Sequence, residues 1–208
     1  MSQRQKVSDD AIFAATTRAM KQRGPHELTL ADIAREAGVT AGLLVQRFGG
    51  KRQLLLALSE RFAGSAPAVF ESLRKAHREP LATLRAYVEC MADLASTPDA
   101  LARNLAYLQI DLTDDDFRQH LLANARSTRR EIESLLRAAI AAGQLRKDVD
   151  TRRLARTIEA VIGGSLMSWA CYREGSAAVW IRHDVDAVLE AHLTRKGMRG
   201  KRGYTRLS

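Results

Sequence analysis

Apolar residues in this chain follow a three-to-four-residue rhythm almost from end to end, and no segment alternates apolar with polar as a half-buried strand would. A chain with that rhythm hides its apolar surface by packing helices on helices, so the fold class it implies is all-α. Composition agrees: aromatics are 5% of the chain while Ala, Leu and Arg abound, and these side chains lose little rotamer freedom in a helix. Start and stop signals cut the rhythm into about nine helices. Ser8 opens the first as an N-cap with Asp9 and Asp10 behind it, and Gly24-Pro25 closes it. Pro80 and Pro98 each stand at a helix start, and Gly64 and Pro67 signal a kink or break within the long fourth helix. The last two helices span roughly residues 150–174 and 177–195.

The first three helices carry the strongest local signals. In "TLADIAREAG", Thr29 caps a helix whose third residue is Asp32, the acidic half of a capping box. Leu30, Ile33, Ala34 and Ala37 share one face of that helix. Gly38 suits the left-handed corner that follows, and Thr40 caps a short helix whose Leu44 and Phe48 point the same way. Two short helices joined at a glycine corner over a miniature core meet the physical needs of a helix-turn-helix.

These residues carry a family resemblance. "LTLADIAREAGVTAGLLVQRFGGKRQLLLAL" resembles the DNA-binding region of the TetR family of bacterial transcriptional regulators, and "AAGQLRKDVDTRRLARTIEAVIGGSLMSW" resembles that family's penultimate region. Through the recognition helix the family usually reads S-x-G-x-L-Y-x-H-F-x-x-K. Thr40, Gly42, Leu44, Phe48 and Lys51 fit that pattern, whereas Val45 stands at the usual aromatic and Arg47 at the usual His. The resemblance implies a helix-turn-helix DNA-binding domain over 1–62 and a helical-bundle ligand-binding and dimerisation domain over 63–195. Residues 196–208 form a basic tail expected to be disordered.

The expected DNA contacts follow from residue type. Thr29, Thr40 and Lys51 stand at helix starts suited to phosphates, and Gly42 bares the backbone for close approach. Gln46 and Arg47 bring side-chain hydrogen bonds, while Ala41, Leu43 and Val45 offer apolar contact to thymine methyls. A bundle in which Leu43 and Val45 are buried is the structural alternative. Charge is consistent with an anionic partner at the ends of the chain. Residues 1–62 carry ten Lys/Arg against six Asp/Glu, residues 63–194 carry seventeen against eighteen, and the last fourteen residues carry six basic groups and no acid.

Within the neutral half, Asn104, Tyr107 and Asp111 share a helix face and read either as polar anchors in a pocket or as an exposed stripe with a capping role. Tyr87, Met91 and Trp169 are the apolar candidates for the same ligand site. The resemblance implies that the last two helices pair with their copies in a homodimer. The apolar residues spaced to do so are Ile158, Ile162, Leu166, Ile181, Val185, Val188 and Leu189. Cys90 and Cys171 lie far apart, without metal spacing or a catalytic partner, so neither a metal, a cofactor nor an enzymatic site is expected. No apolar run is long enough to cross a bilayer and the N-terminus lacks the apolar core of a signal peptide, which points to a cytoplasmic protein without membrane attachment. The function read from the sequence is a ligand-responsive transcriptional regulator, most simply a repressor released from double-stranded DNA by a small-molecule effector. The alternative is an effector-independent DNA-binding protein, either an activator or an architectural one.

Overall fold

A computed structural model describes residues 7–198. Among them, regular structure is helical, with one isolated antiparallel bridge between Leu145 and Leu193. The α-helices are α1 (Asp9–Gln22), α2 (Leu30–Ala37), α3 (Ala41–Phe48), α4 (Lys51–Ala63), α5 (Ala66–Ala76), α6 (Pro80–Ala92), α7 (Pro98–Thr113), α8 (Asp115–Ala141), α9 (Thr151–Tyr172) and α10 (Ala177–Glu190), with a 3-10 turn at Asp93–Ala95. The all-α expectation holds, but the count exceeds nine. Pro67, second in α5, has no N–H to continue the preceding helix, so the long fourth helix divides into α4 and α5. None of the described helices is long and apolar enough to cross a membrane.

The described residues sort into two compact units, 7–64 with 102–123, and 65–101 with 124–198. In the first, local chemistry sets each helix end. Ser8 Oγ accepts from Ala11 N at 3.2 Å. The capping box on α2 is complete: Thr29 Oγ1 accepts from Asp32 N at 3.1 Å while Thr29 N donates to Asp32 Oδ2 at 3.0 Å. Gly38 then turns the chain at φ 66°, a left-handed conformation that costs a side-chain-bearing residue strain, and Val39 N closes on Ala34 O at 2.9 Å. Ile12, Leu28, Ile33, Leu44 and Leu54 are fully enclosed at the centre, with Phe13 and Phe48 ring to ring at 5.8 Å on the flank.

Residues 102–123 belong to this first unit, whereas the sequence reading assigns them to the domain over 63–195. Tyr107 and Phe117 complete the first unit's core, and the Tyr107 hydroxyl donates to Arg23 O at 3.0 Å. Arg103 Nε donates to Lys21 O at 2.9 Å. Arg52, at the head of α4, grips both oxygens of Asp114 at 2.8 and 2.9 Å and reaches Asp116 at 2.8 Å, its guanidinium lying over the Phe117 ring. These partners are 62 to 84 positions apart in the chain, beyond the reach of periodicity.

In the second unit α6 is central, buried from Leu81 through Val88 apart from half-covered Ala82. Its Arg85 is only 5% exposed and pairs with Asp186 of α10 at 2.8 Å. The α9–α10 seam is made by Leu154, Ile158, Ile162, Leu166 and Trp169 on one side and by Ile181, Val185 and Leu189 on the other. Ser165 Oγ lies 2.6 Å from the Asp184 carboxylate across that seam. The first residues of the stretch expected to be a disordered tail are ordered. Residues 195–198 form a helical turn, Gly197 is buried against Gln144, and Lys196 Nζ donates to Ala142 O at 2.9 Å. The remainder of that tail lies outside the described residues.

The carboxyls of the first unit carry a pH consequence. Hydrogen bonds from the Thr29 side chain and backbone hold Asp32 below the ordinary carboxyl value of 3.8, and the Arg52 hydrogen bonds do the same for Asp114. A depressed folded-state value means that the stability contributed is complete above 3.8 and is lost as pH falls through the lowered values. The melting temperature is therefore expected to fall on acidification from about pH 5 to about pH 2, followed by circular dichroism. Asp114→Asn should flatten that acid limb, and an unchanged limb would remove Asp114 from the account.

Candidate nucleic-acid interface

The short helix α3 has one fully buried residue and an open outer face. Leu44 is wholly buried, while Leu43 and Val45 are 37% and 49% exposed and Gly42 and Gln46 are exposed beside them. A rotation of about 100° per residue places these neighbours away from Leu44. The alternative in which Leu43 and Val45 are buried is therefore not the structure adopted. Gly42 is not required by packing, because a Cβ there would meet nothing nearer than Thr40 Oγ1 at 4.0 Å. Thr40 Oγ1 accepts from Leu43 N at 3.2 Å, and this leaves the hydroxyl hydrogen for a partner beyond the helix.

The other expected contacts are placed differently. Ala41 is half-buried and packs on the first unit's core. Thr29 Oγ1 donates its hydrogen to Asp32 Oδ2 at 2.6 Å, so that hydrogen is spent in the capping box. Arg47 turns toward α1, with Nε 2.6 Å from Asp9 Oδ1 and Nη1 donating to Val7 O at 2.6 Å. Lys51 Nζ donates to Leu28 O at 2.8 Å and Pro25 O at 3.1 Å, so two of its three N–H groups tie the head of α4 to the loop before α2. The outward set that remains is Thr40, Gly42, Leu43, Val45 and Gln46. Residue type alone made Arg47 and Lys51 look free; their partners are set by tertiary approach.

The six residues read as a ligand site fall in different units. Asn104, Tyr107 and Asp111 lie in the first, Tyr87, Met91 and Trp169 in the second. Tyr107 is a core strut whose hydroxyl burial pushes to about 12, and burial also raises the Asp111 carboxyl. Tyr87 stacks on Phe70 at 4.5 Å with its hydroxyl bonded to Thr128, and burial pushes it up to about 12. The Trp169 indole donates to Gly175 O at 3.2 Å and closes the turn after α9, and Met91 is half-buried.

The expected dimer stripe is turned inward. Ile158, Ile162, Leu166, Ile181, Val185 and Leu189 are buried within their own chain and Val188 is half-buried, because the large side chains make the seam between α9 and α10. The faces those helices leave open carry Ala160, Gly163, Gly164, Met167, Val179 and Ala187. The sequence's Gly163-Gly164 pair signalled a close approach, but did not say that its side of the helix is the outer one.

Comparison with known proteins matches two stretches of the chain. Residues 12–58 match the family of bacterial regulatory proteins called tetR, and residues 80–185 match the tetracyclin repressor-like C-terminal domain. The chain is 27% identical over 201 residues to the HTH-type transcriptional regulator TtgR of Pseudomonas putida, covering 89% of this chain and 93% of that one. It is 30% identical over 157 residues to the HTH-type transcriptional regulator BetI of Agrobacterium fabrum, covering 74% and 72%. In fold it resembles SmeT, the repressor of the Stenotrophomonas maltophilia multidrug efflux pump SmeDEF. That match has a TM-score of 0.64 at 24% identity over 91% of this chain and 92% of the other.

The Lys51 contacts give a direct expectation. Lys51→Met keeps the aliphatic stem and removes two charge-assisted hydrogen bonds, so urea unfolding should show a loss of about 1–2 kcal/mol. Unchanged stability would mean that water satisfies the two carbonyls as well as the ammonium does.

Proposed function

The chain belongs to the tetR family of bacterial regulatory proteins, and from that membership we propose a homodimeric, ligand-responsive repressor that reads a palindromic operator through α2 and α3. The observation that carries the proposal is the rotation of α3. With Leu44 locked inward, Leu43, Val45 and Gln46 face solvent as a compact apolar and hydrogen-bonding surface. Leu43 and Val45 suit thymine methyls, and Gln46 suits the paired donor and acceptor of adenine. Thr40, with the unpaired N–H groups of the first turn of α3, suits a phosphate, and bare Gly42 lets the DNA backbone come close.

Pairing of two copies through the open faces of α9 and α10 supplies the second half-site reader, with half-site centres roughly 34–36 Å apart. Small residues at Ala160, Gly163, Gly164 and Ala187 permit the close helix approach this requires. SmeT is named as a repressor, and that name supports the direction of regulation proposed here. Release by an effector requires a small molecule that binds the DNA-incompetent arrangement more tightly than the competent one.

Two measurements test this reading. Selection of bound sequences from random duplex DNA should recover one palindrome, both with the full chain and with a chain shortened to end at Met198. Gln46→Ala should relax the preference at one base pair by about 1–3 kcal/mol, whereas Thr40→Ala weakens all sequences alike. Featureless enrichment, or enrichment lost with the final residues, would reject the operator-reading role. For the assembly, Gly164→Glu places a charge where a Cβ meets nothing of its own chain within 4 Å. Sedimentation should then report a folded monomer; a surviving dimer would place the interface elsewhere.

A further inference from the structure

The second unit holds a cleft of about 770 Å³ between α8 and the head of α9, and its lining is unlike the rest of the surface. Arg126, Arg129 and Arg130 line it from α8, at the i, i+3 and i+4 positions of one face. Arg152, Arg153 and Arg156 line it from the first two turns of α9. Two carboxylates, Glu133 and Asp150, share the lining, so six arginines against two acids leave a formal charge of +4. Net charge hides this concentration, because residues 63–194 are nearly neutral as a whole.

Most of these charges are also unpaired. Elsewhere, Arg18, Arg47, Arg52, Arg61, Arg74 and Arg85 each sit against a carboxylate. In the cleft only Arg129 has such a partner, Glu159 at 2.6 Å. Among the described residues, the guanidinium groups of Arg126, Arg130, Arg152, Arg153 and Arg156 make no ion pair or hydrogen bond. The Asp150 carboxylate is already engaged, accepting from Arg153 N at 3.0 Å as the N-cap of α9, and the nearest cation to Glu133 is Arg137 at 3.5 Å. Five unpaired like charges around one concavity repel each other until an anion enters.

We propose that this cleft binds a small, multiply charged phosphate-bearing anion, of the diphosphate or triphosphate type. Guanidinium forks match phosphate oxygens two at a time, and several forks converging from two helices engage more than one phosphate. The volume falls within the range of small-molecule sites, and the arginines line a hollow rather than a ridge, which favours a compact ligand over a track along duplex DNA. The regulator reading makes no use of this site, and the proposal stands without it.

The test is isothermal titration of the full chain with inorganic triphosphate, diphosphate and sulfate at matched ionic strength. Triphosphate should bind once per chain and more tightly than sulfate. The paired substitution Arg130→Gln with Arg156→Gln should weaken it roughly tenfold or more. Arg118→Gln, a surface arginine paired with Asp115 in the first unit, should leave the affinity unchanged. Both altered groups are exposed, and an unchanged circular dichroism spectrum checks that the paired variant is folded. Equal affinity for sulfate and triphosphate, or an equal loss in Arg118→Gln, would reduce the cleft to bulk charge and overturn the proposal. Two further results would also overturn it: weakened duplex DNA binding in the paired variant with triphosphate affinity intact, which makes the arginines a nucleic-acid surface, or a changed oligomeric state, which makes them a contact between copies.

Discussion

The enclosure of Leu44 is the constraint on which the outer surface of α3 depends. A helix of eight residues has little packing of its own, and one fully buried side chain among Ile12, Ile33 and Leu54 fixes its rotation about its axis. Once that rotation is set, the identity of the solvent-facing residues follows from helical geometry. The corner at Gly38 and the cap at Thr40 fix where the helix starts; the leucine fixes which way it faces.

This division of labour also explains what was legible in the sequence. Ser8, Thr29, Asp32, Gly38 and Thr40 act on groups two to four residues away, so their roles follow from spacing alone. Arg47, Lys51 and Tyr107 act on partners 23 to 84 positions distant, and nothing local distinguishes a lysine bound for a carbonyl from one free to meet a phosphate. Residue type pointed to a contact in each case. The fold decided with whom.

The stripe on α9 and α10 lies in the seam between those helices for a different reason. A helix that packs in its own bundle and also presents a face outward carries two apolar surfaces, and periodicity reports their sum. Large side chains at Ile158, Ile162 and Leu166 fill the interior, and the small residues fall opposite them. The arginine cleft escaped notice in the same way. Its six guanidinium groups are spread over thirty positions of sequence in a stretch whose net charge is close to zero, and only the apposition of α8 and α9 gathers them.

Residues 102–123 give the first unit a history distinct from that of a portable module. Its core is finished by Tyr107 and Phe117, and the head of α4 is held by Asp114 and Asp116, so the stretch through Gly64 is not a self-contained cassette. The chain passes between the units three times, twice in mid-helix, within α7 and within α8. A recombination event that exchanged only the first four helices with a relative would inherit the reading face but sever its footing. Chimeras that keep both must carry the two segments together, because Arg52 and its partner Asp114 stand 62 positions apart.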